Sequence, residues 1–262
     1  MARYMRLYIY FLRFSFSKAM EFRLDFFFRI IMDLFFYAIN IGFYRVVFLH
    51  TSLIGGWNMD QMMVFISGFL LIDAINMTVF ANNLWAITEY INSGELDYYL
   101  IRPVSPLFFL SVRDFAANSF VNLIFALGIL IWSISGYPGN LPWYMVIFFI
   151  VMILLGTFLR YLVRMLFIMP AFWVQSGHGL ETLFFSLNRF VERPDRLFTG
   201  TVRIILTTVL PFSLMASFPA RMLMDSFDPL LLLHFFMVFI SFYAALMWIW
   251  NKGLRAYSSA SS

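Results

Sequence analysis

Two stretches of this chain, 143–159 and 229–250, contain no Asp, Glu, Lys or Arg. Apolar runs of that length decide the solvent before anything else is considered. A helix needs about 20 apolar residues to cross the ~30 Å hydrocarbon core of a bilayer. Further runs at 26–49, 62–79, 115–134 and from Ile204 onward bring the number of expected spans to six. Only 12% of the residues are charged against 62% hydrophobic, about half the charged fraction of an ordinary soluble domain. An unusually apolar soluble core would need long polar surfaces, and the chain has none. The expected fold is an all-α polytopic membrane protein with six transmembrane helices, one domain over 1–262.

Polar residues punctuate the runs. Residues 1–22 read as an amphipathic interfacial helix, with Arg3, Arg6, Tyr10, Arg13 and Ser17 on one stripe and Tyr4, Leu7, Tyr8 and Phe11 on the other. The stretch is not a signal peptide, because its apolar part is short and is followed by Arg13, Lys18 and Arg23 without a small-residue cleavage pattern. Asp25, Arg29 and Asp33 recur every four residues, which lets Arg29 pair with either acid. Asp73 lies inside the second span. Asn118 and Asn122 share a face of the third and can bond a neighbouring helix. The fourth pattern continues past Arg160 and Arg164, so its helix is expected to project beyond the membrane. Residues 175–203 read as a polar cytosolic connection, and 210–228, broken by Pro211 and Pro219, as an outward re-entrant segment. Counted this way, Arg45 and Arg221 fall on one side and the other bases on the opposite side, so both termini are expected in the cytosol. The excess of bases flanks apolar runs instead of forming one patch, which argues for lipid as the contact and against nucleic acid.

The most informative polar island is 88–106, TEYINSGELDYYLIRPVSP. It holds Glu89, Glu95, Asp97 and Arg102, a glycine break at Gly94 and two proline stops, Pro103 and Pro106. A compact charged loop on one side of a lipid-embedded chain implies something for it to touch. Catalytic chemistry is hard to assemble. There is no Walker A pattern to cradle phosphate, no HExxH, no Cys ligand and no G-x-S-x-G elbow in the sequence. Asp73 with His234 is one loose candidate for an intramembrane enzyme. Asp33 and Asp73 stand as possible path residues, because an ionisable side chain in a span is expensive.

The island resembles the cytosolic loop of the ABC-2 type transporter permeases: Glu89, then Ser93-Gly94-Glu95-Leu96-Asp97, then Leu100-Ile101-Arg102-Pro103. The tail, Gly253-Leu254-Arg255-Ala256-Tyr257-Ser258-Ser259-Ala260, is similar to the ending common in the six-span subgroup. The resemblance implies a permease subunit with no cofactor of its own, ATP and Mg being bound by two copies of a separate ATPase subunit. It also implies a second permease, the same or homologous, and a bacterial cytoplasmic membrane. The loop at 82–110 would contain the coupling helix, about 82–100, with Glu89, Glu95 and Asp97 facing the ATPase and Gly94, Arg102 and Pro103 shaping the loop. Hydrolysis would drive efflux of a substrate that the resemblance does not identify, aromatic and Met-rich spans being compatible with an amphiphile. The rival readings are a secondary transporter or channel without an ATPase, and a membrane-embedded enzyme.

Overall fold

The computed structural model describes residues 2–21, 23–174, 178–225 and 227–257, almost all of them helical. Helix α1 (Ala2–Glu21) leads into α2 (Arg23–Phe48). A turn closed by paired hydrogen bonds between Ile54 and Trp57 precedes α3 (Met59–Asn76). That helix opens on a capping box, in which the Asn58 and Gln61 side chains each accept the other's backbone N–H at 3.0 Å. A π-helical turn, Met77–Ala81, joins α3 to α4 (Asn82–Ser93), making one rod of 35 residues. Then follow α5 (Asp97–Leu100), α6 (Pro106–Val112), α7 (Ala117–Ser135) and α8 (Trp143–Ile168), which a 3-10 turn extends to Phe172. The remainder is α9 (His178–Asn188), α10 (Gly200–Ile204) with a π turn to Val209, α11 (Phe212–Met224) and α12 (Pro229–Ala256).

Five of these helices are long and apolar enough to cross a bilayer, and a sixth crossing is reached if the bent pair Gly200–Val209 and Phe212–Met224 counts as one. Its two arms meet at 94° around Leu210 and Pro211. Such a corner survives at membrane depth only when protein surrounds it, and every residue from Phe212 to Ala220 is buried. Pro219 does not interrupt α11 as expected from sequence. Proline removes the hydrogen bond to the carbonyl four residues back, here Met215, and that carbonyl packs on Gly156 of α8. A Cβ at Gly156 would stand 2.3 Å from the Met215 oxygen. The two helices meet backbone to backbone at a place where a carbonyl has lost its intrahelical partner.

The route of the chain corrects one expectation. Residues 175–203 do not form a single connection beside the island. Helix α9 starts near the island end, where Phe184 meets Phe167 of α8. The following turns carry the chain to the opposite end. There Tyr44 donates to the Glu192 carbonyl at 2.7 Å, and the Arg196 guanidinium lies over the buried Trp57 ring. Arg196 and Arg203 therefore sit with Arg221, at the end where α2 finishes and α3 begins. Sequence could not show this, because α9 is too short and too polar to read as a crossing. Arg160 and Arg164 are likewise buried, not projecting. The far end gains bases: Asp195 binds Arg203 and Arg221, and Asp225 binds Arg196, three arginines sharing two carboxylates. Both ends of the described chain lie at the island end: α1 packs through Phe11 on Phe109, and α12 through Trp250 on Phe172. On α1, Tyr10, Arg13 and Ser17 of one expected stripe are exposed, and Leu7, Tyr8 and Phe11 of the other are half-buried; the side chains of Arg3, Tyr4 and Arg6 lie outside those described.

Overpacking a tight core costs about 1–3 kcal/mol. Gly156→Ala is expected to lower the melting temperature of the detergent-solubilised protein by several degrees. Gly128→Ala, where a Cβ meets nothing within 4 Å, should leave it unchanged or raise it.

Candidate functional site

The island is a folded handle. Helix α4 stops at Gly94, whose φ of +82° is a left-handed conformation that a side chain resists. The chain then turns back, and the Leu96 N–H donates to the Tyr90 carbonyl at 3.0 Å. One coupling helix over 82–100 was expected. The structure has two, α4 and the four-residue α5, because the left-handed glycine reverses the chain instead of bending it. Pro106 corrects a second expectation. It opens α6 at the first helical position, behind the Ser105 cap, where its missing N–H is harmless.

Residues along the loop alternate between anchor and surface. Leu96 and Tyr99 are buried in a cluster with Ile87, Ile91, Phe172 and Trp250. Glu89, Glu95, Arg102 and Pro103 are exposed, as are two large apolar side chains, Tyr98 (67%) and Ile101 (80%). Exposed apolar residues rimmed by charge are the composition of a contact surface. Asp97 is half-buried, and the hydroxyl of Tyr257 in the tail lies in its field; burial first, and that carboxylate second, raise the phenol's pKa. Tyr257 and Gly253 both pack on Phe172. The two sequence motifs, island and tail, therefore close on one cluster.

Arg102 and Arg113 hold the loop in shape. The Arg102 Nε donates to the Tyr98 carbonyl at 3.2 Å, and its guanidinium lies 4.9 Å from the Phe109 ring centre. Arg113 reaches back from the turn before α7 and donates to the hydroxyls of both Tyr90 and Tyr99. Sequence reading placed Arg113 only among orientation charges. Its clamp role needs two tyrosines nine residues apart in sequence to face one base, which no local pattern announces. Beneath the handle the rod is locked to α7. The Asn83 amide donates to the Asp114 carbonyl and accepts the Asp114 N–H, both at 2.8 Å, while the Ala116 N–H bonds the Thr78 carbonyl in the π turn at 3.1 Å.

Within the bundle each suspected intramembrane acid has a partner. Asp73 pairs with Arg160 of α8 at 2.8 Å, both nearly buried. Asp33 accepts from the Asn122 amide, joining α2 to α7, whereas Asn118 reaches only its neighbour Ser119. His234 bonds the Thr207 carbonyl at 3.0 Å, so the Asp73–His234 pairing considered from sequence gives way to two separate contacts. Arg164 is boxed by aromatic rings, 4.9 Å from Trp85 and 5.2 Å from Phe185, which are themselves stacked at 5.0 Å. This box ties α4 to α9. Phe184 of α9 meets Phe212, at the corner of the bent pair, at 6.0 Å.

A family model described as ABC-2 family transporter protein matches residues 34–261. No curated protein and no solved structure matches the chain.

A hydrogen bond from a charged donor contributes about 1.5–3 kcal/mol. Arg113→Leu is therefore expected to raise amide hydrogen exchange across 94–101 by roughly tenfold or more, with α8 unaffected. Unchanged exchange would show that Leu96 and Tyr99 hold the loop without the clamp.

Proposed function

This chain belongs to the ABC-2 transporter family, and on that premise we propose that it is the permease subunit of an ATP-driven exporter. The observation that carries this reading is the handle at 88–106, which offers charge and exposed apolar surface while remaining fastened to the longest rod of the bundle. A separate ATPase subunit, in two copies, grips Glu89, Glu95, Tyr98 and Ile101. A second permease, identical or homologous, completes the membrane part. The ATPase supplies the ATP site and its magnesium. The membrane is a bacterial cytoplasmic one, with the handle and both termini in the cytosol, the side on which most Lys and Arg fall.

The coupling follows from the contacts. When ATP closes the ATPase, force on the handle moves α4. Trp85 transmits it through the Arg164 box to α9, and Phe184 passes it to Phe212 at the corner of the bent pair. That pair caps the far end, held by the ion pairs of Asp195 and Asp225. Opening the cap exchanges those pairs for water, and the substrate leaves outward. ATP can drive the change only if the ATPase binds the two handle positions with different affinity.

Glu89 and Glu95 are exposed and make no core contact, so reversing them tests docking without touching the fold. Glu89→Lys with Glu95→Lys is expected to weaken co-purification with the ATPase of the neighbouring reading frame at least tenfold, with unchanged melting of the permease. Unchanged association would remove the handle from the interface.

A further inference from the structure

A groove of about 260 Å³ opens between α2, the π turn with the start of α4, and the start of α7. We propose that this groove binds hydrophobic organic cations, with Asp33 as counter-ion and Phe28, Met32 and Trp85 as walls. The inference rests on the transporter reading for its physiological meaning, since it names the substrate class, but not for its chemistry.

Three observations converge. The walls are large and apolar: Phe28, Met32 and Met77 line the groove and are exposed, and Trp85, although stacked on Phe185 beside Arg164, keeps 53% of its surface open. Aromatic faces attract cations, most strongly where water is displaced. The acid is distinctive among the carboxylates of the bundle. Asp73 is paired with Arg160, and Asp195 with two arginines, while the hydrogen bond to Asp33 comes from a neutral amide, Asn122. Asp73 also lies within electrostatic range of Asp33 and adds negative potential there. The third observation is the order of charges with depth. Arg29 is the base whose field reaches Asp33, and it stands four residues nearer the island end, about 6 Å along the helix. Its side chain is exposed, so its field is the more strongly screened of the two. Asp33 acts deeper, where the dielectric is lower and the attraction for a charge is larger. Asn82, Asn118 and Ser119 supply neutral polar contacts around it. The volume is small beside the roughly 300–1,000 Å³ of most ligand pockets, which suits a compact aromatic cation better than a whole phospholipid. The lateral opening gives entry from the leaflet at the handle end.

The test uses the purified permease alone in detergent, with two probes of matched shape and opposite charge, tetraphenylphosphonium and tetraphenylborate, in equilibrium dialysis. Saturable binding of the phosphonium is expected, at least tenfold weaker in Asp33→Asn, retained in Asp33→Glu and tighter in Arg29→Gln. Phe28→Ala, at an exposed wall position that leaves the bundle intact, should weaken it several-fold even if Asp33→Asn were to perturb folding. Equal binding to Asp33→Asn and the unaltered protein would overturn the proposal. So would saturable binding of the borate that disappears in Arg29→Gln, which would mark an anion or lipid-headgroup site. Because no ATPase is present, either result leaves the docking of the handle to be judged on its own experiment.

Discussion

The Arg160–Asp73 ion pair sets the frame of this molecule. It joins α8 to α3 at 2.8 Å in a place from which both side chains are almost excluded from solvent. Removing one partner of a buried pair costs about 3–5 kcal/mol, because the other charge is left without compensation. The pair thus fixes which faces of the two central helices meet. Gly156 stands one turn from Arg160 on α8, and there the Met215 carbonyl of α11 comes into backbone contact. The bent pair is accordingly built onto the same helices that the ion pair aligns. The rod that carries Asp73 also runs on, through the π turn, into the handle.

This arrangement gives the molecule two unlike ends joined by a continuous set of contacts. The handle end is fastened by tyrosines, arginine clamps and a cluster of aromatic rings, and it keeps its acids at the surface. The far end buries its charges in pairs: Asp195, 0% exposed, holds Arg203 and Arg221, and Asp225 holds Arg196. Between them, Arg164 links α4 to α9 through aromatic faces instead of a fixed hydrogen bond. Cation–π contacts of this kind contribute about 2 kcal/mol when desolvated, and they tolerate sliding better than directional bonds do. A joint that holds while it shifts is what a moving rod requires.

Much of this was legible in the sequence. Apolar runs of spanning length announced the helices, and the island announced itself by interrupting them. The corner between the two short helices was readable from Pro211, although Pro219 misled, because its lost hydrogen bond is absorbed by the contact at Gly156. What could not be read was long-range pairing. Arg160 looked like a base beyond the membrane, since the residue opposite it, Asp73, is on another helix. The polarity of 175–203 suggested a loop, yet its second half crosses to the far end, its path screened by α2, α8 and α11 instead of by its own apolar face. At the handle, Gly94 was recognised as a break, but not that it reverses the chain, because only φ distinguishes a bend from a reversal.

The central claim is that the handle lies on the cytosolic side and meets an ATPase there. The chain has no native cysteine, so a single Glu95→Cys variant can be labelled without background. With a membrane-impermeant maleimide, labelling is expected in inverted vesicles and absent in intact cells, and the ATPase subunit should protect the site. Labelling of Glu95→Cys from outside intact cells, or reactivity unchanged by bound ATPase, would contradict the account.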